Sequence, residues 1–257
     1  MINIDSLTSF YPDNVKPYKR NILREYLQCK ILEYIFDSEF GRYFVFMGGT
    51  AIRIVYGNTR FSEDLDFDNC GMDKIKFEQL SKYLEKKIAM EGYIVNAEPV
   101  IKNTFHLHIK FPGIFLNYGL STDPREKLNI ILDTEPQNFK YTPDKKIINK
   151  FNIFLRINAV PRDILFAQKI CAVFTRKRPM GRDFYDIVFL MNDTKPSLEY
   201  LKDKNGISSL TEVKKKLLDK CSNLDFKQLS KDIEPFLFNS VDSKKVLYFR
   251  EYIQSQF

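Results

Sequence analysis

The period of the apolar residues changes along the chain, from mixed helix and strand patterns to helix patterns alone. Apolar residues recur every four positions from Leu23 to Ile35, which predicts a helix over residues 17–38. Short apolar runs bounded by glycine or proline predict strands. The predicted strands cover residues 43–47, 64–68, 93–101, 104–111 and 127–133, and further helices are predicted over residues 50–56 and 73–90.

The second half of the chain is predicted to be helical. Residues 136–150 are predicted to be a polar connection, and turn residues such as Pro179 and Gly181 separate the segments that follow. Helices are predicted over residues 161–176, 182–192, 209–220, 226–235 and 243–255. We therefore expect an α+β protein, with a half of mixed strands and helices over residues 1–150, a helical half over residues 151–257, and a cleft between them.

Composition excludes several classes of protein. The 257 residues are 44% hydrophobic, which suits a globular protein with a substantial core. No apolar run approaches the roughly 18 residues that span a bilayer, and the first residues lack the hydrophobic segment of a signal peptide, so no membrane association is expected. Four dispersed cysteines without a CxxC pair favour free buried thiols over zinc, which fits a cytoplasmic protein.

The charge balance allows two interpretations. Lysine and arginine number 40 against 33 acidic residues, which gives a net charge of +7 and a pI near 9.0. This balance favours a polyanionic partner, because neutralised phosphates release their counterions. A lysine-rich surface that only maintains solubility explains it equally well. If the partner is a nucleic acid, the basic run Arg176, Lys177 and Arg178, together with Arg182, is the first candidate for contact with it.

The strongest chemical signal is a pair of aspartates two positions apart. Residues i and i+2 of a strand project from the same face, so Asp64 and Asp66 are predicted to point together while Leu65 and Phe67 enter the core. Two convergent carboxylates suit Mg²⁺, which is usually held by one or two carboxylates and the phosphates of the substrate. An exposed edge strand with a charged outer face would show the same alternation.

A glycine turn precedes this strand. Gly48, Gly49 and Thr50 follow an apolar run and lead into a helix, so the backbone amides at the helix start are predicted to accept a triphosphate. The Thr50 hydroxyl is expected to cap the helix and to contact the γ-phosphate. Ser62, just ahead of the aspartates, either binds a phosphate or braces the turn.

The compound pattern GGTA…RFSEDLDFD resembles the signature of the nucleotidyltransferase AbiEii/AbiGii toxin family, the toxins of type IV toxin–antitoxin and phage abortive-infection systems. The resemblance extends to residues 164–169 and 181–187, where the family has a helix with a lysine and then an RD-x-x-D helix. It implies a fold like that of DNA-polymerase-β-type nucleotidyltransferases, with a mixed sheet and helices followed by a mainly helical half.

The resemblance also implies roles for individual residues. A third acidic residue from a neighbouring strand completes the metal site in such enzymes, and Asp133 is the best match by position, with Glu135 as the alternative. Lys169 is expected to contact the phosphates of the nucleotide. Asp183 and Asp186 share a helix face and either orient Lys169 or position the acceptor hydroxyl. A local ion pair at a helix start would explain these two aspartates without a catalytic role.

Two histidines are predicted to lie on a solvated strand face. His106 and His108 fall on one face with Lys110, and no third ligand accompanies them, so a solvated face is favoured over a metal site.

The expected function is transfer of a nucleoside monophosphate from an NTP to an acceptor, with release of pyrophosphate and with Mg²⁺ as cofactor. The resemblance suggests RNA as the acceptor, with the 3′ end of tRNA as the first candidate. It also suggests a monomer whose cognate antitoxin forms no stable complex with it. Two alternatives stay open, a nucleotidyltransferase that modifies a small antibiotic-type molecule and a non-catalytic nucleic-acid-binding protein on the same fold.

Overall fold

A computed structural model describes residues 2–102 and 104–256, which divide into two compact units. The first unit contains the chain up to Gly57 together with Phe61–Asn138 and Pro143–Ala159. The second contains Asn58–Arg60, Phe139–Thr142 and the chain from Val160 onward. This division differs from the boundary predicted at residue 150: residues 151–159 belong to the first unit, and three residues ahead of the acidic strand belong to the second.

The first unit is built on a seven-stranded mixed sheet. Its strands are β1 (Phe44–Met47), β2 (Leu65–Asn69), β3 (Asn96–Ile101), β4 (Phe105–Pro112), β5 (Lys127–Glu135), β6 (Asp144–Lys150) and β7 (Ile153–Ala159). They lie in the order β3-β4-β5-β2-β1-β7-β6. The pairs β2/β5 and β1/β7 are parallel and the other neighbours are antiparallel, so the α+β class with a mixed sheet is confirmed.

Five helices accompany this sheet among the described residues: α1 (Ile4–Thr8), α2 (Lys19–Phe36), α3 (Gly48–Tyr56), α4 (Lys74–Met90) and α5 (Ile114–Asn117). The apolar stripe of α2 is buried, as its period predicted, and the helix packs on β7. Helix α3 starts two residues earlier than predicted, directly at Gly48, because the glycine pair is itself the first turn.

The hairpin of β6 and β7 was missed by the sequence analysis, which treated residues 136–150 as a connection. Strand β6 buries only Ile148 fully, so it shows almost no apolar period. In β7, Ile153, Leu155 and Ile157 are buried, but Phe154 between them is 70% exposed and hides the alternation. Pairing of β7 with β1, and of β6 with β7, decides the state of the two segments.

The second unit is helical in its described residues. Its helices are α6 (Arg162–Thr175), α7 (Gly181–Met191), α8 (Leu198–Asn205), α9 (Leu210–Cys221), α10 (Phe226–Ile233), α11 (Lys244–Leu247) and α12 (Phe249–Gln256). Helix α8 was not predicted, and the single helix predicted over residues 243–255 is broken at Tyr248. The core of this unit includes edge-to-face packing of Phe184 against Phe226 and Phe249.

Two expectations from composition are addressed by the structure. Among the described residues, no helix is both long and apolar enough to cross a membrane. All four cysteines are free; Cys29 and Cys221 are buried as expected, whereas Cys171 is partly buried and Cys70 is exposed. Cys70 follows the end of β2, where the chain leaves the sheet.

Candidate active site

The acidic segment forms the start of β2, in the centre of the sheet. Leu65 and Phe67 are buried in the core, while Asp64 and Asp66 are only partly buried. This alternation is the one predicted from the sequence, and it makes β2 an internal strand instead of an exposed edge. Asp68 has the same phase but is buried, and its Oδ1 accepts a hydrogen bond from the backbone N–H of Gln137 at 3.0 Å.

Asp66 and Asp133 are direct neighbours on parallel strands. The β2/β5 register pairs Asp66 with Asp133, and paired residues of adjacent strands project from the same face. Both line one cavity of the first unit, whose other walls include Met47, Thr104, His106 and Glu135. Glu135 pairs in register with Asp68, so Asp133 is the carboxylate opposite Asp66.

Position 48 requires glycine because of its backbone conformation and because of the neighbouring side chain of Asp66. Its φ is +77°, in the left-handed region that side chains disfavour. A Cβ on Gly48 would lie 2.0 Å from Asp66 Oδ2, so only glycine lets the helix start approach this carboxylate. The N-cap of α3 is Met47, which makes no side-chain hydrogen bond to the first turn. The first turn therefore begins directly beside Asp66.

Thr50 does not cap α3, and that prediction is wrong because the helix begins before it. The residue is completely buried, and its hydroxyl donates a hydrogen bond to the carbonyl oxygen of Asp64. Gln28, also buried, donates from Nε2 to the carbonyl oxygens of Ser62 (3.1 Å) and Glu63 (2.9 Å). Side chains of α2 and α3 thus hold three successive carbonyl groups that lead into the acidic strand.

The donor chemistry of this cavity fits a hard cation. Asp66 and Asp133 offer carboxylate oxygens, which Mg²⁺ prefers, and Mg²⁺ sites usually add the phosphates of a substrate to one or two carboxylates. Over the described residues, no cluster of three or more His, Cys, Asp or Glu side chains is arranged to hold a metal ion.

His106 lines this cavity, a position that the prediction of a solvated strand face did not include. Its Nδ1 is 2.5 Å from Asp133 Oδ1, and its Nε2 is 2.7 Å from Thr104 Oγ1. Its side chain is 37% exposed. The sequence carried only the alternation of His106 and His108, which does not report that β4 pairs with β5.

The second unit contains a buried ionic cluster around Lys169. Lys169 Nζ lies 2.9 Å from Asp186 Oδ2 and 3.9 Å from Asp183 Oδ1. Both carboxylates are fully buried, and the lysine side chain is 12% exposed. The structure thus brings together three residues that the sequence selected.

Arg60 is a member of this cluster that sequence analysis missed. Its Nε and Nη2 donate to the two oxygens of Asp186 at 2.7 and 2.6 Å, and Asn58 Nδ2 donates to the same carboxylate at 2.8 Å. Burial alone would raise the pKa of Asp186, but Arg60 and Lys169 outweigh it and hold that pKa below its ordinary value. Burial likewise opposes the charge of Arg60, yet Asp186 raises its pKa.

The basic loop after α6 divides into two kinds of residue. Arg176 Nη1 donates to Asp183 Oδ2 at 2.5 Å, so this guanidinium neutralises a buried carboxylate. Lys177 is exposed, Arg178 has a side chain that is 84% exposed, and Arg182 is partly buried. Lys177 and Arg178 are therefore the residues of the run that solvent reaches most directly.

A family comparison identifies this protein as a nucleotidyltransferase. Residues 30–250 match the family model described as nucleotidyl transferase AbiEii toxin, type IV TA system. The chain belongs to this AbiEii toxin family. Membership makes it a toxin of a toxin–antitoxin system, with an antitoxin as partner, and the enzymes of this family commonly use a divalent metal.

Solved structures share the fold at low sequence identity. MenT4, a nucleotidyltransferase toxin from Mycobacterium tuberculosis H37Rv, is 14% identical over 99% of this chain and 90% of its own, with a TM-score of 0.59. JHP933 from Helicobacter pylori is 17% identical over 91% of both chains, with a TM-score of 0.55. No curated protein matches the sequence.

Proposed function

We propose that this toxin transfers a nucleoside monophosphate from an NTP to an RNA acceptor, with the 3′ end of tRNA as the first candidate. The observation that carries the proposal is the register of Asp66 with Asp133, beside a helix start that only glycine can form. This arrangement offers two carboxylate ligands in one cavity of the first unit, and the first turn of α3, whose amides would receive phosphate, begins beside Asp66.

The predicted site residues of the first unit have two roles in this proposal, metal binding and phosphate binding. Asp66 and Asp133 would hold Mg²⁺ from the cavity that they share, and Asp64, which precedes β2 and is not among the residues lining that cavity, keeps its predicted role as a further ligand. A bound Mg²⁺ would offset the charge of the triphosphate and activate the attacking hydroxyl. The amides of Gly48 and Gly49 would receive phosphate oxygens at the start of α3.

Two hydroxyl residues near the strand would have different roles. Thr50 would act by holding the Asp64 carbonyl, since its hydroxyl is committed there. Ser62 is partly buried and would supply its hydroxyl to a phosphate.

Lys169 would neutralise the transferring phosphates. The cluster around it has three cations, Arg60, Lys169 and Arg176, against two carboxylates, so one positive charge exceeds the local balance. Asp183 and Asp186 are fully buried, so we assign them to orienting Lys169 and Arg176 and not to contact with the acceptor hydroxyl. The partly buried Arg182 would add charge for the nucleotide.

A matched pair of variants on one strand tests the proposal. The wild type is incubated with α-labelled NTPs, Mg²⁺ and total RNA, and labelled RNA is resolved on a gel. Asp66→Asn is expected to abolish labelling, whereas Asp68→Asn, on the same strand face but bonded to the backbone of Gln137, is expected to keep it.

The outcomes separate the alternatives. Labelling that Asp66→Asn does not reduce would overturn the metal-site assignment. Label incorporated only into a small hydroxylated molecule would favour the antibiotic-type reaction, and a gel shift of RNA without labelling would favour a binding protein. Thermal unfolding of both variants controls for loss of the fold.

A further inference from the structure

A short hydrogen-bond chain leads from β4 to the carboxylate at the centre of the cavity. Strand β5 lies between β4 and β2, and the two registers pair Asp133 with His106 on one side and with Asp66 on the other. Thr104 Oγ1, His106 Nε2, His106 Nδ1 and Asp133 Oδ1 are joined by contacts of 2.7 and 2.5 Å. All of these residues line the same cavity.

The chemistry of the three side chains fixes which group donates in each of these hydrogen bonds. A carboxylate can only accept, so the proton of the His106–Asp133 bond is on Nδ1. In the neutral ring Nε2 is then an acceptor, and the Thr104 hydroxyl donates to it. The ring is held at both nitrogens, and its bond to Asp133 uses Oδ1 and not Oδ2.

We propose that His106 is a positioning residue, which together with Thr104 holds Asp133 in the orientation that binds the metal. The proposal rests on the function proposed above, in which Asp133 is a metal ligand. Hydrogen-bonded partners of metal ligands fix the orientation of those ligands, and their loss typically reduces metal affinity or activity by about 10- to 100-fold. Here the effect is expected on the metal-dependent step, because His106 itself offers no atom to the phosphates once both nitrogens are bonded.

The arrangement differs from an ordinary surface histidine on the same strand. His108 shares the strand face of His106 but pairs in register with Ile131 and Glu98, away from the carboxylate pair. It does not line the cavity. His108→Gln is therefore a control for changing a histidine on this face.

Two substitutions of His106 separate the hydrogen bond from the ring. In His106→Asn the amide nitrogen can stand in for Nδ1, whereas in His106→Gln it stands in for Nε2 and leaves Asp133 without its donor. Thr104→Val removes the hydroxyl that donates to His106 Nε2, whereas Thr104→Ser keeps a hydroxyl at this position. The probe is Mn²⁺ alone, titrated onto the intact protein and followed by electron paramagnetic resonance, and transfer rates are measured across Mg²⁺ concentrations.

We expect His106→Gln to weaken Mn²⁺ binding by about 10- to 100-fold and to raise the Mg²⁺ requirement, with most of kcat restored at saturating Mg²⁺. His106→Asn, Thr104→Ser and His108→Gln are expected to stay within a few-fold of the wild type, and Thr104→Val to show a smaller loss than His106→Gln. Wild-type Mn²⁺ affinity in His106→Gln would overturn the proposal. So would equal losses in the Asn and Gln variants, since the ring and not the bond would then matter.

Asp133→Asn distinguishes failure of this proposal from failure of the function on which it rests. If Asp133→Asn binds Mn²⁺ as the wild type does, the metal-site assignment itself is wrong. If Asp133→Asn loses binding while His106→Gln retains it, only the role of His106 is wrong. Should His106→Gln unfold, Mn²⁺ binding by Thr104→Val and Thr104→Ser tests the same hydrogen-bond chain, and weaker binding by Thr104→Val alone is expected.

Discussion

Replacing Gly48 by alanine tests how closely α3 must approach Asp66. The added Cβ would lie 2.0 Å from Asp66 Oδ2 and 2.7 Å from its Cγ, whereas ordinary contacts begin near 3.4 Å. The Asp66 carboxylate must therefore retreat by roughly 1 Å or more, or the helix start must shift by as much. The left-handed φ of +77° adds about 1–2 kcal/mol of backbone strain for a residue with a Cβ.

A displacement of this size has a predictable effect on catalysis. Misplacing a reacting group by about 1 Å costs on the order of 100-fold in rate, so Gly48→Ala should lose about that much transfer activity. The assay is the initial rate of label transfer from α-labelled NTP to RNA, measured beside thermal unfolding.

Gly57→Ala is the matched control, because Gly57 ends the same helix at φ +79° and has nothing within 4 Å of its Cβ position. It should show the same backbone strain, a loss of about 1–2 kcal/mol in stability, with near-normal rates. Equal rates in the two variants, whether both stay near the wild-type rate or both fall, would refute the idea that contact with Asp66 is what requires glycine at position 48.

Three further changes test the second unit. Asp186→Asn leaves Arg60 without its bonded carboxylate and Lys169 with only the more distant Asp183, and it should cost about 3–5 kcal/mol of unfolding free energy, measured in urea. Because the pKa of Asp186 is lowered in the folded state, its stabilisation is present above the ordinary carboxyl pKa of about 3.9 and is lost as pH falls through the folded value, so this variant should also flatten the acid limb of stability against pH. Lys169→Met should reduce kcat by about 10²- to 10³-fold with little change in melting temperature, since Arg60 still neutralises Asp186; an unchanged kcat would remove Lys169 from the phosphate site. Lys177→Ala combined with Arg178→Ala should weaken RNA use and lower the log–log salt slope by roughly 1–2 units, and a slope parallel to that of the wild type would show that these side chains do not contact RNA.

The acidic strand was predictable from the sequence for a local reason. The alternation of Asp64 and Asp66 with Leu65 and Phe67 fixes which side chains enter the core, and a period of two needs no knowledge of neighbouring strands. The helix over α2 was predictable for the same reason, since a stripe of apolar residues at helical spacing has one stable way to be buried. The same local signal failed in β6, where only Ile148 is fully buried.

The partners of these aspartates were decided only by the tertiary structure. Sheet order places β5 between β2 and β4, and this order brings Asp133 beside both Asp66 and His106. Nothing in the residues around His106 reports that pairing, so a histidine of the cavity resembled a solvated one. Arg60 likewise stands next to the acidic strand in sequence but forms its ion pair with Asp186.

The sequence alone thus determined the acidic strand and the glycine turn, because each depends on residues close together in the chain, and two motifs in a fixed order indicated the family. The tertiary structure decided which side chains form hydrogen bonds and ion pairs with each other. Backbone pairing and burial join residues far apart in sequence, such as His106 with Asp133 and Arg60 with Asp186, and in the buried cluster the cost of burying a charge without a partner makes these choices specific.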